Sequence, residues 1–352
     1  MKIVWFTKYS RKGASSRLRS MQFFPGLLDL GFEIIHLPLF DDVYLEKLYG
    51  GKSVRLIALR CYVKRLFQII KLSKTDIIVI EKELFPYLPA TFERLMVLRG
   101  LSYIVDYDDA IFITYERNLP GPLRMLMKHK IRKVMANAHT VVAGNSYLAS
   151  YAEESGASHV VVIPTVVDTE RYQDQNAKEL DKLPVIGWVG SPTTVPYLEP
   201  VLPVLEKIYK KKPFLLKVVG GTLNGNCSFP MEHLPWTEAS EAETIAGFDL
   251  GIMPLPKTEW AKGKCAYKLI QYMAAGLPVV ATRFGANEDV VLDGTTGILV
   301  NSDADWEEAL TSLLNHKDLR ANMGVSGRKR VVDHYSLNAA FSQWITVVDG
   351  LK

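Results

Sequence analysis

The chain alternates short apolar runs with helix-length amphipathic stretches, twice over, and few folds accommodate that rhythm. Strands buried on both faces are short and β-branched or aromatic, and their alternation with helices builds parallel sheets. In the first half the predicted strands are Ile3–Phe6, Glu33–Leu37, Ile77–Ile80, Tyr103–Asp106, Thr140–Ala143 and Val160–Ile163, with helical spacing over Ser16–Asp29, Phe92–Arg99 and Leu123–Ala136. The polar segment from Asp168 to Pro184 (DTERYQDQNAKELDKLP) breaks the rhythm and reads as a linker. Alternation then restarts with Val185–Val189, Leu215–Val219, Leu250–Met253, Val279–Ala281 and Ile298–Val300, and ends in a helix over Ala339–Leu351.

At 352 residues the chain is long enough for two domains at about 150 residues each. The expected architecture is α/β, with two Rossmann-like doubly wound domains facing a cleft: residues 1–168, a linker over 169–184, a second domain over 185–335 and a C-terminal helix over 336–352. Ligands of open parallel sheets sit at the carboxyl ends of the strands, so the chemistry is expected in the loops there.

The composition, 48% hydrophobic and 23% charged, is that of a globular protein without a run of about 18 apolar residues that could span a membrane. The N-terminus reads as a first strand rather than a signal peptide. Cys61, Cys227 and Cys265 are odd in number and widely spaced; they form no disulfide framework or zinc pattern, which fits a reducing cytoplasm. The net charge of +4 divides unevenly, +7 over residues 1–168 and −3 over the remainder. A basic first half points to an anionic partner.

After the first strand comes a small-residue loop, Gly13-Ala14-Ser15-Ser16-Arg17, where backbone can approach a ligand and a helix start offers amides to an anion; it is equally a helix start with surface arginines. It lacks the Gly-x-Gly-x-x-Gly fingerprint of a dinucleotide site. Asp106, Asp108 and Asp109 crowd three carboxylates after a strand, for acceptor binding or a general base, with Asp108 preferred as the base; loop capping and a metal are the alternatives. In the second half, Gly190-Ser191 with Thr193 and Thr194 forms a candidate phosphate cradle, and Gly220-Gly221 ends the next strand.

The stretch Lys262–Thr282 is the most specific: a loop, a helix from about Tyr267 to Ala275, a Gly276 stop and a buried strand. Lys264, Lys268 and Gln271 have the offsets of one helical face, which would aim two cations and an amide at one place. A diphosphate would relieve the repulsion between the lysines, and Gln271 could hold ribose hydroxyls. A solvated cationic helix start is the alternative.

These motifs, in this order, together with Ile163-Pro164-Thr165, Asp168, Gly187-Trp188-Val189 and Asp249–Leu255, resemble the bacterial branch of glycosyltransferase family four, retaining enzymes of the twin-Rossmann GT-B fold. The resemblance covers almost the whole chain and implies a surface-polysaccharide type of enzyme whose C-terminal helix returns to the first domain. It implies that Gly190, Ser191, Thr193 and Thr194 with Lys264 and Lys268 hold the donor diphosphate. Gln271 and Tyr267 would lie on the donor side, with the base near Trp236, Gly220 and Gly221. The first domain would supply the loop around Gly13 on the donor side and Ser15, Ser16, Arg17, Asp106 and Asp109 on the acceptor side. No cofactor or metal is expected, since the nucleotide-sugar is a substrate whose leaving diphosphate is neutralised by lysines and helix N-termini. The chain departs from the family in its glutamate pair, replaced by Gly263 and Gln271, and in an arginine and lysine replaced by the Ser191–Thr194 segment. A branch with Lys264 and Lys268 in phosphate duty accounts for this. A sugar-nucleotide epimerase and a nucleotide-sugar-binding subunit are the alternatives.

From Leu48 to Thr75 there are seven basic residues and no acidic one. Arg60, Lys64 and Lys71 share a stripe flanked by Leu59, Val63, Phe67 and Ile70, and residues 124–133 have the same character. Such faces suit anionic lipid, at about 1 kcal/mol per cation, so peripheral contact with the inner membrane face and a lipid-linked or saccharide acceptor are expected. No aromatic platform or binding motif for nucleic acid accompanies the charge.

Overall fold

Apolar runs too short for helices become strands covered on both faces. Ile77–Glu81, Tyr103–Tyr107 and Thr140–Ala143 are buried at every residue. The computed structural model describes residues 1–172, 183–223, 225 and 227–351, and the chain divides into two units. Unit 1 comprises Met1–Thr165, Gly263–Cys265 and the chain from Ala340 onward; unit 2 comprises Val166–Lys262 and Ala266–Ala339.

Unit 1 holds one six-stranded parallel sheet of β1 (Lys2–Tyr9), β2 (Glu33–Phe40), β3 (Ile77–Glu81), β4 (Tyr103–Tyr107), β5 (Thr140–Ala143) and β6 (Val160–Val162), in the order β2-β1-β3-β4-β5-β6. Strand order reverses between β1 and β3, where the loops after the two strands diverge and leave room for a ligand. The C-terminal helix Leu337–Asp349 sets Trp344 in this core, with ring centroids 5.2 Å from Trp5 and 5.8 Å from Phe23.

Unit 2 holds a second six-stranded parallel sheet: β7 (Val185–Val189), β8 (Leu215–Val219), β9 (Met231–Leu234), β10 (Leu250–Met253), β11 (Val279–Thr282) and β12 (Gly297–Val300), ordered β12-β11-β10-β7-β8-β9. Two doubly wound α/β sheets confirm the expected fold class.

The strand β9 has no counterpart in the sequence reading. It is an edge strand with Glu232 and His233 at its centre, so it lacks the apolar run that marks a covered strand. The expected helix Ser16–Asp29 is broken into Ala14–Arg19, a 3₁₀ turn Met21–Phe23 and Phe24–Asp29, with Pro25 opening the last piece. Leu123–Ala136 is likewise two helices, Gly121–Met127 and Lys130–Asn137. Most of the expected linker, residues 173–182, lies outside the described residues. Its start, Thr169–Tyr172, is a 3₁₀ turn in unit 2 with Tyr172 buried.

Candidate functional site

Unit 1 assembles a buried network of charges at the carboxyl ends of β1, β3 and β4. Asp106, on β4, is paired through both oxygens with Arg19, whose Nε lies 3.0 Å from Oδ2; the same guanidinium donates to the Ile163 carbonyl at 2.7 Å. Burial pushes the Asp106 carboxyl up despite that cation. Both side chains are buried, so the expected acceptor-side role of Asp106 is corrected: each of its oxygens is engaged by Arg19, which ties the first helix to β4.

Asp108 and Asp109 are bridged by Lys82, whose Nζ lies 2.7 Å from Asp108 and 3.1 Å from Asp109. Lys82 has φ 64°, a left-handed backbone seldom adopted outside glycine, which turns the chain at the end of β3. Burial alone would raise the Asp108 carboxyl. The charge and hydrogen bond of Lys82, then Ser15 and Arg19, outweigh it and hold the group down at about 2. A carboxylate that releases its proton so readily is a weak proton acceptor at neutral pH, which argues against Asp108 as the general base. Sequence reading missed Lys82. Its signal is the charged triplet Glu81-Lys82-Glu83, which begins on the last residue of a fully buried strand.

Lys264 completes this cluster, 2.9 Å from Asp109. Its carbonyl accepts from Asn145 Nδ2 at 3.0 Å, and the Cys265 thiol donates to the Asp108 carbonyl at 3.1 Å. Gly263 sits so close that an added Cβ would lie 2.5 Å from the Ala110 Cβ. Burial would lower Lys264, but Asp109 raises it further, so it remains cationic. Burial pushes the Cys265 thiol up to about 12, which keeps it protonated and unreactive.

The shared helical face expected for Lys264, Lys268 and Gln271 does not exist. The helix is Tyr267–Ala274, entered through Ala266 in a left-handed conformation at φ 50°, so Lys264 lies in the loop before it. Lys268, on the first turn, places Nζ 4.1 Å from the ring centroid of buried Trp188. Gln271 is buried and donates to the Tyr172 hydroxyl at 3.1 Å; as a ribose contact it is therefore corrected to a core hydrogen bond.

The loop after β1 is also more structural than expected. The hydroxyl of buried Ser16 donates to Glu81 at 2.6 Å and accepts the Tyr9 amide at 3.1 Å. Arg17 is buried and donates to the Arg11 carbonyl at 3.2 Å, so neither Ser16 nor Arg17 is presented to an acceptor. Gly13 caps the helix Ala14–Arg19, and Ser15 stands 3.4 Å from Lys82 Nζ.

In unit 2 a cavity of about 730 Å³ opens at the carboxyl ends of β7, β8 and β9, lined by Pro192, Pro196, Gly220, Gly221, Leu234 and Trp236 among others. Gly220 adopts φ 77°, and a Cβ there would fall 2.3 Å from the Gly190 carbonyl oxygen, so glycine brings the two loops together. Trp236 is fixed by its Nε1, which donates to Glu241 at 2.6 Å. Beside the cavity Ser191, Thr193 and Thr194 form a hydroxyl-rich turn: Thr194 Oγ1 accepts the Ser191 amide at 3.0 Å, and Ser191 and Thr193 hydroxyls are 2.9 Å apart. The structure thus gathers Gly190, Ser191, Thr193, Thr194, Gly220, Gly221 and Trp236 as neighbours, while Tyr267 is half-buried at the start of its helix.

Residues 184–316 match the family described as "Glycosyl transferases group 1". An uncharacterized glycosyltransferase of Methanocaldococcus jannaschii is 36% identical over 62 residues, which are 17% of this chain and 18% of that protein. The chain thus spans less than a fifth of the length of that curated relative. Over the whole chain the fold is similar to a solved glycosyltransferase from Rickettsia africae, at a TM-score of 0.73 and 15% identity, covering 99% of this chain and 98% of that one. It is also similar to Anabaena HepE crystallised with UDP-glucose, at a TM-score of 0.68 and 14% identity, covering 99% and 100%. The chain therefore has the GT-B fold of solved glycosyltransferases, and the residues that match the glycosyl transferases group 1 family include the glycine-lined cavity.

Proposed function

We propose that this chain is a glycosyltransferase that moves a sugar from a nucleotide-sugar donor to a saccharide or lipid-linked acceptor. The observation that carries the reading is the cavity at the ends of β7, β8 and β9 within the matched segment. Its volume suits a nucleotide, its walls include an indole and two adjacent glycines, and a hydroxyl-rich turn lies beside it. Trp236 with Gly220 and Gly221 would hold the base, and Ser191, Thr193 and Thr194 the phosphates. Lys268 would supply charge to the leaving diphosphate, as preorganised electrostatic stabilisation requires. The complex of Anabaena HepE with UDP-glucose supports a donor of this class.

Metal-independent transfer is part of the same reading. Asp106, Asp108 and Asp109 already face Arg19, Lys82 and Lys264, so their charge is met within the protein. Retention of configuration and a place in surface-polysaccharide synthesis follow from the family resemblance. The test is release of nucleoside diphosphate from a panel of nucleotide-sugars, with and without chelator, alongside thermal shifts with the free diphosphates. If no diphosphate stabilises the protein and no donor is turned over, the reading fails.

Peripheral attachment to an anionic membrane is proposed for the helix Arg55–Ile70. Leu56, Leu59, Phe67 and Ile70 are 77%, 62%, 60% and 58% exposed, beside exposed Arg60 and Lys64, with Lys71 just past the helix end. Two basic residues leave the expected surface. Arg65 is buried, donating to the Thr7 and Leu37 carbonyls at 3.0 and 2.8 Å, and Lys130 is buried against Glu83. Among the described residues no helix is long and apolar enough to cross a membrane.

A further inference from the structure

Four tyrosines of unit 1 gather at the carboxyl ends of its first three strands, outside every role assigned above. Tyr9 ends β1, Tyr44 follows β2, Tyr62 belongs to the helix Arg55–Ile70, and Tyr87 lies in the loop after β3. Phe40 joins three of them: Tyr44 stacks on it with centroids 4.0 Å apart, Tyr9 is at 5.9 Å and Tyr62 at 6.2 Å. Tyr62 stacks in turn on Phe85 at 5.5 Å and donates to the Pro86 carbonyl at 2.7 Å, next to Tyr87. Burial first, then neighbouring Tyr9, Cys61 and Tyr87, push the Tyr44 hydroxyl upward.

Two features separate this cluster from core packing. Trp5, Tyr103 and Tyr107 in the sheet are fully buried, whereas Tyr9, Tyr44 and Tyr62 are half-buried and Tyr87 is 57% exposed. Tyr87 also sits at φ 59°, a left-handed conformation that persists at a non-glycine residue only where surroundings enforce it. The enforcing group is buried Tyr115, whose hydroxyl accepts the Tyr87 amide at 3.0 Å and donates to Glu83 at 2.8 Å; Glu83 is paired with buried Lys130. The loop that presents Tyr87 begins at Lys82, the residue that bridges Asp108 and Asp109. An exposed ring is thus held out on a constrained loop that begins at the lysine of the carboxylate cluster.

We propose that this tyrosine surface, chiefly Tyr9, Tyr44 and Tyr87, binds the saccharide of the acceptor. The proposal rests on the glycosyltransferase reading and adds to it the subsite and the ligand class. A pyranose offers a C–H face and a rim of hydroxyls, and a tyrosine offers an apolar ring with a polar tip, so the two match on both counts. An isoprenoid chain would match only the apolar faces of the rings, whereas a saccharide matches both the faces and the polar tips.

Saturation-transfer NMR on the full chain tests the surface, with maltose and cellobiose as saccharide probes and farnesyl phosphate as the isoprenoid probe. Transfer to ring protons of at least one disaccharide is expected, reduced about fivefold or more, roughly 1 kcal/mol, in Tyr87→Ala and Tyr44→Ala. Tyr44→Phe and Tyr87→Phe keep the ring and retain most of the signal, which separates loss of stacking from loss of fold. Transfer to neither disaccharide, transfer undiminished in both alanine variants, or transfer to farnesyl phosphate alone would overturn the proposal. Thermal shifts with nucleoside diphosphates on the same samples keep the two readings apart. Tyrosine-dependent sugar binding without any diphosphate binding would sink the transferase reading and leave the saccharide surface standing.

Discussion

Lys82 Nζ lies 2.7 Å from the Asp108 carboxylate, both side chains withdrawn from solvent, and the contact is made at a non-glycine residue in the left-handed region. Removing one member of a buried pair leaves the other charge without a counterion, which costs about 3–5 kcal/mol. Lys82→Met should therefore lower stability by that order in urea denaturation. A cost below about 1 kcal/mol would show that water already screens the pair.

The same pair fixes a pH dependence. The Asp108 carboxyl is held at about 2 in the folded protein against an ordinary 3.8, so its contribution is present above the ordinary value and is lost as pH falls through about 2. The linked stabilisation is on the order of 2 kcal/mol. Denaturation measured between about pH 5 and pH 2 should show stability falling with acid, and Asp108→Asn should flatten that limb. An unchanged acid limb in the variant would assign the titration elsewhere.

Gly220→Ala meets both an unfavourable φ of 77° and a Cβ 2.3 Å from the Gly190 oxygen. The expected cost is about 1–3 kcal/mol, in the range of overpacking and backbone strain. Nucleoside-diphosphate affinity should fall as well, because the displaced Gly190 loop borders the cavity. Isothermal titration of the variant at a temperature where it remains folded checks this, and wild-type affinity would remove the cavity from the donor site.

Lys268→Ala removes a cation 4.1 Å from the Trp188 ring, a loss of about 0.5–1 kcal/mol in stability. If Lys268 neutralises the leaving diphosphate, turnover should drop roughly 100-fold or more while the melting temperature moves little. Turnover within a factor of about two of wild type would take Lys268 out of the reaction.

The exposed face of the helix Arg55–Ile70 predicts co-sedimentation with vesicles containing phosphatidylglycerol. Phe67→Glu combined with Leu59→Glu should abolish it without loss of stability, since both side chains are exposed at 60% and 62%. Binding that ignores the anionic lipid content would refute an electrostatic component.

Much of the fold was legible because its signals are local. A strand covered on both faces must be apolar along its length, so Ile77–Glu81 and Val279–Thr282 announce themselves, and Gly276 at φ 68° stops its helix where the sequence places it. The glycines around the unit 2 cavity belong to the same class, because they sit directly after apolar strands, whereas Trp236 follows β9, an edge strand without an apolar run. The partners of charges are different. Arg19 reaches Asp106 across 87 residues and Lys264 reaches Asp109 across 155. Helical periodicity placed Lys264 beside Lys268 and Gln271, and the left-handed turn at Ala266 separates it from them. By itself the sequence determined two parallel α/β sheets and the glycine-lined loops at their strand ends, since those follow from apolar runs and backbone stops. Only the tertiary structure decided which cation neutralises which carboxylate. That choice depends on burial, where an unpaired charge is costly and whichever counterion the fold brings within reach is selected.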